Sequence, residues 1–143
     1  MNTVEKAVSL FGGDCNCAQA VLGAYADELE VPPDLACRIA CGFGGGMRRA
    51  DTCGAVTGAL MVIGLKHGPA RCGDEEDKDL ACRLAAEFQQ SFASRHGSTI
   101  CRELLGCDVS TEEGHNQAKE QGLFDRRCPG YVRDAAVILQ ELL

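Results

Sequence analysis

The sequence is poor in basic residues, since 14 Lys and Arg stand against 21 Asp and Glu and give a formal net charge of -7. Such a charge argues against binding to nucleic acids or anionic membranes. The first residues lack the apolar run and cleavage site of a secretory signal, so we expect a cytoplasmic protein. No membrane insertion is expected, because the longest uncharged run, 53–65, falls short of the roughly 20 residues that cross a bilayer.

Several motifs of common enzyme classes are also missing. The glycines at 42 and 44–46 follow no predicted strand and precede no Gly-Lys-Ser/Thr, which excludes a P-loop or dinucleotide fingerprint. We interpret this run as a flexible joint, with close backbone approach to a cofactor as the less favoured alternative. Neither a Ser-His-Asp arrangement nor H-E-x-x-H is present, so hydrolase chemistry has no support.

The apolar residues follow helical spacing, and the run 53–65 is apolar or small at every helical angle. This pattern predicts a helix buried on all sides. Gly54 and Gly58 lie one turn apart, so a neighbouring backbone can approach closely on that face. Asp51 or Thr52 is the predicted cap, which places Cys53 in the first turn.

The remaining pattern predicts further helices. We expect them at 3–11, from residue 16 to about 30, from Pro32 onward, at 75–96, at 99–105 and from Cys128 to the end. In the third of these, Leu35, Ile39 and Phe43 share the apolar face. The segment 108–122 is either a helix beginning at Thr111 or a mobile surface segment. The predicted fold class is all-α, an irregular bundle of about six helices around a buried central helix, with residues 1–143 forming a single domain.

Ten cysteines are unusual for a chain expected in a reducing compartment, where they indicate metal binding or thiol chemistry rather than a disulfide scaffold. Four lie at predicted helix N-termini: Cys17, Cys53, Cys101 and Cys128. The partial positive charge there lowers a thiol pKa and prepares it as a nucleophile or metal ligand. Packed helices bring such ends together, and four thiolates bind zinc or an iron–sulfur cluster.

Six cysteines remain outside this set: Cys15, Cys37, Cys41, Cys72, Cys82 and Cys107. Cys37 and Cys41 are one helical turn apart, and we interpret them as filling a helix interface rather than binding metal. Cys15 forms a C-x-C pair with Cys17, and such thiols can share a metal or exchange electrons. The other three are interpreted as structural, because free cysteine commonly behaves as a small apolar residue.

Five motifs together resemble one known family, the C_GCAxxG_C_C family of redox-active proteins. They are Asn16-Cys17-Ala18-Gln19-Ala20-Val21, Gly42-Phe43-Gly44-Gly45-Gly46-Met47, Thr52-Cys53-Gly54-Ala55-Val56-Thr57-Gly58, Cys101-Arg102-Glu103-Leu104-Leu105-Gly106 and Cys128-Pro129. The resemblance implies four shared cysteines, which fall on Cys17, Cys53, Cys101 and Cys128. The family also resembles the iron-centre domain of split-Soret cytochromes, and some relatives are selenoproteins. A haem role does not carry over, because this chain has no C-x-x-C-H motif.

Three hypotheses about function follow. In the first, the four cysteines bind an iron–sulfur cluster, expected to be of the 2Fe-2S type, in an electron carrier or redox sensor. In the second, a cofactor-free thiol oxidoreductase uses one of the four thiolates, Cys53 or Cys17, to attack a substrate, and another of the four resolves the mixed disulfide. In the third, the four bind zinc in a structural module. The expected partner is a redox protein or a small-molecule substrate, and the sequence leaves open whether the chain forms a homodimer or is an enzyme.

Overall fold

The computed structural model describes all 143 residues and contains nine α-helices and no strand. The helices are α1 (Thr3–Gly12), α2 (Cys17–Ala26), α3 (Pro33–Ala40), α4 (Gly54–His67), α5 (Glu75–His96), α6 (Cys101–Leu105), α7 (Glu112–Glu120), α8 (Leu123–Arg126) and α9 (Cys128–Leu142). The predicted all-α class is therefore confirmed. The two additional helices are α7, which occupies the uncertain segment 108–122, and α8, which is about one turn long. No helix is long and apolar enough to cross a membrane.

The centre of the bundle is α4, which packs against α2, α5 and α9. Its glycines permit this packing, because a Cβ at Gly58 would lie 2.8 Å from the Ala18 carbonyl oxygen of α2. Burial of α4 extends to Ile63, whereas Leu65 is 47% exposed. The prediction of a helix buried on all sides was thus wrong for its last turn, where Lys66 and His67 reach the surface.

The core is completed by α5 and α9, which pack against α4 and against each other. Phe88 and Phe92 of α5 are fully buried, and so are Val132 and Leu139 of α9. The Tyr25 hydroxyl donates to the Ala136 carbonyl at 3.0 Å and thereby joins α2 to α9. Two of the helices that begin with a cysteine, α2 and α9, are therefore held in register deep in the core.

The orientation of α3 differs from the expectation. Leu35 and Ile39 are 44% and 51% exposed, and the buried residues are Ala36 and Ala40 instead. The small alanines let α3 pack closely on α2, which turns the larger side chains outward. The predicted second helix also ends early, at Ala26, because Glu30 takes a left-handed conformation before two prolines.

Candidate redox site

One cavity of about 200 Å³ is lined by all four cysteines that were predicted to lie at helix N-termini. Cys17 begins α2, Cys53 precedes α4, Cys101 begins α6 and Cys128 begins α9, so each comes from a different element. Cys53, Cys101 and Cys128 are buried and Cys17 is half-buried. All ten cysteines are free thiols. The structure thus brings the four side chains together, while their role as ligands or nucleophiles stays a prediction.

Cys17 is positioned by a capping box at the start of α2. The Asn16 side chain accepts from the Gln19 amide at 2.9 Å, and the Gln19 side chain accepts from the Asn16 amide at 2.9 Å. Gly54 of α4 lies against this turn, because a Cβ there would be 3.0 Å from the Cys17 Cβ. The missing side chain at Gly54 therefore allows Cys17 and Cys53 to meet.

Cys53 and Cys101 are placed side by side by a short backbone pairing that the sequence did not reveal. The Cys53 amide donates to the Thr99 carbonyl at 2.8 Å, and the Cys101 amide donates to the Asp51 carbonyl at 2.6 Å. Cys53 is itself the N-cap of α4, so the prediction that Asp51 or Thr52 caps this helix was wrong. The pairing extends the backbone at Thr52 and so delays the start of the helix.

Cys128 is fixed by contacts between the start of α9 and the carboxyl end of α6. The Arg127 guanidinium and the Tyr131 hydroxyl both donate to the Leu104 carbonyl, at 3.1 and 2.9 Å. Tyr131 also lines the cavity. Tyr131 was not predicted as a site residue, although its position three residues after Cys128 puts both on one face of a helix.

The pKa values of Cys17, Cys53 and Cys101 are shifted in different directions by their surroundings. Hydrogen bonds with the Cys128 and Cys53 thiols, together with burial, raise the pKa of Cys17 well above the ordinary value. The pKa of Cys53 is lowered, first by the hydrogen bond from Cys17 and then by the backbone amides of Ala55 and Val56. Amides at a helix N-terminus favour the ionised form of a thiol beside them. Burial raises the pKa of Cys101 to about 12.

The cavity wall favours negative charge on the sulfurs. Among its 17 lining residues there is no Asp or Glu, and Arg48 is the one that carries a fixed charge. In a chain with net charge -7, this absence of carboxylates distinguishes the cavity from most of the surface. Arg49 points elsewhere, being 83% exposed and 3.9 Å from Asp51.

Arg48 belongs to a turn of left-handed backbone formed by the glycine-rich run. The φ angles of Gly45, Gly46, Met47 and Arg48 are 61°, 63°, 59° and 64°. Non-glycine residues pay roughly 1–2 kcal/mol each in this conformation, and such strain concentrates at functional sites. A Cβ at Gly46 would lie 2.8 Å from the Cys101 Cβ, so this run is packed into the cavity wall. Close approach of this backbone to a cofactor stays a prediction.

The remaining cysteines differ in their burial. Cys37 and Cys41 are exposed, so the interpretation that they fill a helix interface was wrong, for the same reason that Leu35 is exposed. Cys72 and Cys82 are also exposed. Cys107 is buried in a small cluster with Cys101 and Cys128, and its thiol donates to the Leu105 carbonyl at 3.6 Å.

The donor set has the chemistry of a metal or cluster site, but the side chains do not form a ready-made site for one ion. No three His, Cys, Asp or Glu side chains are arranged in that way. Four thiolates around one tetrahedral zinc ion lie about 3.8 Å apart, given a zinc–sulfur distance of about 2.3 Å. Binding of a single ion would therefore require these side chains to rotate toward a common centre.

The fold and the site together describe an all-α protein in which four cysteines at the starts of helices line one cavity. The family model described as "Putative redox-active protein (C_GCAxxG_C_C)" matches residues 15–142, nearly the whole chain. The protein belongs to this family, and its resemblance to a redox-active family is confirmed. No curated protein and no solved structure matches the chain.

Proposed function

We propose that Cys17, Cys53, Cys101 and Cys128 hold an iron–sulfur cluster and that the protein acts as a small electron carrier or redox sensor. The observation that carries this proposal is the convergence of four thiols, from four separate elements, on one cavity. Four cysteines are the ordinary ligand set of 2Fe-2S and 4Fe-4S clusters. When bound, the cluster would supply one-electron transfer.

The electrostatics of the cavity support this proposal. Four thiolates and a cluster bring net negative charge into a half-closed site, which is unfavourable unless dipoles and cations compensate it. The Ala55 and Val56 amides at the start of α4 favour the Cys53 thiolate, and Arg48 supplies a positive charge on the wall. No carboxylate opposes them there.

The number of thiols also supports a cluster. Thiol–disulfide exchange needs two cysteines, and that alternative leaves Cys101 and Cys128 without a role. Four thiolates are also a ligand set for a structural zinc ion, so their number alone does not distinguish the two. No observation specifically favours the zinc module.

The test is purification without oxygen, followed by the visible spectrum and the iron and sulfide content per chain. We expect charge-transfer absorption with stoichiometric iron and sulfide. Replacing each of the four cysteines by serine in turn should lower the iron content, because each removes one ligand. The Cys82→Ser variant is the matched control, since Cys82 is exposed on α5 and does not line the cavity.

The proposal is overturned if the protein stays colourless and free of iron after anaerobic incubation with ferrous iron, sulfide and thiol. It is equally overturned if Cys53→Ser and Cys82→Ser retain the same iron content while both remain helical. Circular dichroism of each variant shows whether iron is lost through misfolding rather than through a missing ligand.

A second candidate, a thiol oxidoreductase, has one specific observation in its favour. Cys53 has a lowered pKa next to Cys17, whose pKa is raised, so the pair combines a thiolate with a proton-holding neighbour. In this function the Cys53 thiolate attacks a disulfide substrate, and Cys17 displaces the reduced product to leave a Cys17–Cys53 disulfide. We expect metal-free protein to alkylate fastest at Cys53 at neutral pH if this function is correct. Ordinary or slow alkylation there counts against it.

A further inference from the structure

A second group of thiols lies on the surface at the junction of α2 and α3. Cys15 is half-buried in the loop before α2, and Cys37 and Cys41 are exposed at α3. None of these three lines the cavity that holds Cys17. The two groups thus lie on different sides of the first turn of α2.

The capping box of α2 holds Cys37 close to the segment that carries Cys15. The Gln19 amide nitrogen donates to the Cys37 carbonyl at 3.0 Å and to its Sγ at 3.3 Å, while the same side chain accepts from the Asn16 amide at 2.9 Å. Cys37 is therefore separated from the backbone next to Cys15 by one amide side chain.

The neighbouring thiols are poorer partners for Cys37. Cys41 lies four residues further along the chain, where Cβ atoms of a helix are about 5–6 Å apart, wider than the roughly 3.5–4.5 Å of a disulfide. Cys17 lines the cavity together with Cys53 and Cys128 instead. Cys15 is the thiol that remains.

We propose that Cys15 and Cys37 form a second redox pair, which a low-molecular-weight disulfide oxidises to an intramolecular disulfide. The exposed Cys37, as its thiolate, attacks one sulfur of the small disulfide, forms a mixed disulfide and releases one small thiolate. Cys15 then attacks the Cys37 sulfur, forms the Cys15–Cys37 bond and releases the second small thiolate. Two cysteine thiols are oxidised by two electrons, one small disulfide is reduced to two thiols, and the two protons pass to those products.

The experiment treats anaerobically purified protein with oxidised glutathione and maps its disulfides by mass spectrometry. Trypsin alone leaves Cys15, Cys17 and Cys37 in one peptide, 7–38, because no Lys or Arg lies between Lys6 and Arg38. Further cleavage after Glu28 and Glu30 separates 7–28 from 31–38, which contains Cys37 as its sole cysteine. We expect these two peptides to be joined through Cys15, with fragmentation between Cys15 and Cys17 locating the bond.

The Cys15→Ser variant should accumulate glutathione on Cys37 at a level at least about tenfold above wild type. In the wild type, the Cys15 thiol displaces this glutathione, because it attacks at an effective concentration near millimolar or higher. Cys41→Ser is the matched control and should form the Cys15–Cys37 disulfide unchanged. The inference is overturned if wild type and Cys15→Ser carry equal glutathione on Cys37, or if Cys37 pairs with Cys17 or Cys41 instead. Iron content, measured in parallel, is expected to be unchanged in Cys37→Ser, so this result is independent of the proposed cluster.

Discussion

The two sets of cysteines around α2 differ in their burial and in the contacts that position them. The cavity group, Cys17, Cys53, Cys101 and Cys128, converges from elements far apart in sequence and depends on the packed core for its alignment. The surface group, Cys15, Cys37 and Cys41, is assembled by side-chain hydrogen bonds between two neighbouring helices and is open to reagents. Position in the fold, rather than the number of cysteines, therefore assigns each thiol its chemistry. The cavity group suits a bound cofactor, and the surface group suits exchange with soluble thiols.

The largest expected effect is on alkylation rates in metal-free protein. The exposed cysteines, Cys37, Cys41, Cys72 and Cys82, should react with iodoacetamide at the rate of free thiols. The buried Cys101 and Cys128 should react at least about a thousandfold more slowly, because they react after an opening that costs several kcal/mol. Time-resolved peptide mapping gives the rates, and unfolding in guanidinium should equalise them. Equal rates for Cys72 and Cys128 in folded protein would remove the distinction between the groups.

The second largest effect is expected from substitutions in the glycine-rich turn of the cavity wall. Gly45 and Gly46 have nearly the same φ angle, 61° and 63°, so alanine at either position incurs similar backbone strain. At Gly46 the new Cβ would also lie 2.5 Å from the Asp51 amide nitrogen, whereas at Gly45 the nearest atom is 3.7 Å away on the Arg48 guanidinium.

We therefore expect Gly46→Ala to lower the free energy of unfolding by about 3 kcal/mol or more, from strain and overpacking together. Gly45→Ala, the matched control, should lose about 1–2 kcal/mol from strain alone. Urea denaturation measures both. If the two variants are equally stable, Gly46 is not the packing point between the glycine-rich turn and Cys101.

The sequence was sufficient for the features that depend on local pattern. Asn16 and Gln19 form the cap that the start of α2 required, and α5 spans the predicted residues because its apolar spacing is regular and Gly97 ends it in a left-handed conformation. Gly54 and Gly58 indicated the close approach of a neighbouring helix, which is α2. Placement of cysteines at helix starts selected the four that line the cavity.

Features that depend on distant contacts could not be predicted in this way. The backbone hydrogen bonds from Cys53 to Thr99 and from Cys101 to Asp51 join residues 46 and 50 positions apart, and no local pattern indicates them. The outward orientation of Leu35 follows from alanines that allow close helix packing, whereas hydropathy alone favours burial of the leucine. The left-handed conformation of Met47 and Arg48 opposes their intrinsic preference and is imposed by the surrounding fold.

The smallest expected effect concerns Tyr25, which joins the helix that begins with Cys17 to the helix that begins with Cys128. Its hydroxyl donates to the Ala136 carbonyl at 3.0 Å, so Tyr25→Phe should cost about 1 kcal/mol at neutral pH. Burial, followed by the charge of Glu28, raises the pKa of Tyr25 to about 12. Because the phenol of the unfolded chain ionises near pH 10, its contribution is complete below that pH and is lost as the pH rises toward 12.

The difference in unfolding free energy between wild type and Tyr25→Phe should therefore narrow between pH 10 and 12. Urea denaturation of both proteins across this range measures it, and taking the difference cancels the titration of lysines and other cysteines that both share. A gap that stays constant from neutral pH to pH 12 would show that the folded and unfolded phenols ionise alike. The hydrogen bond from the Tyr25 hydroxyl to the Ala136 carbonyl would then not stabilise the fold. The alignment of α2 and α9 would in that case depend on apolar packing alone.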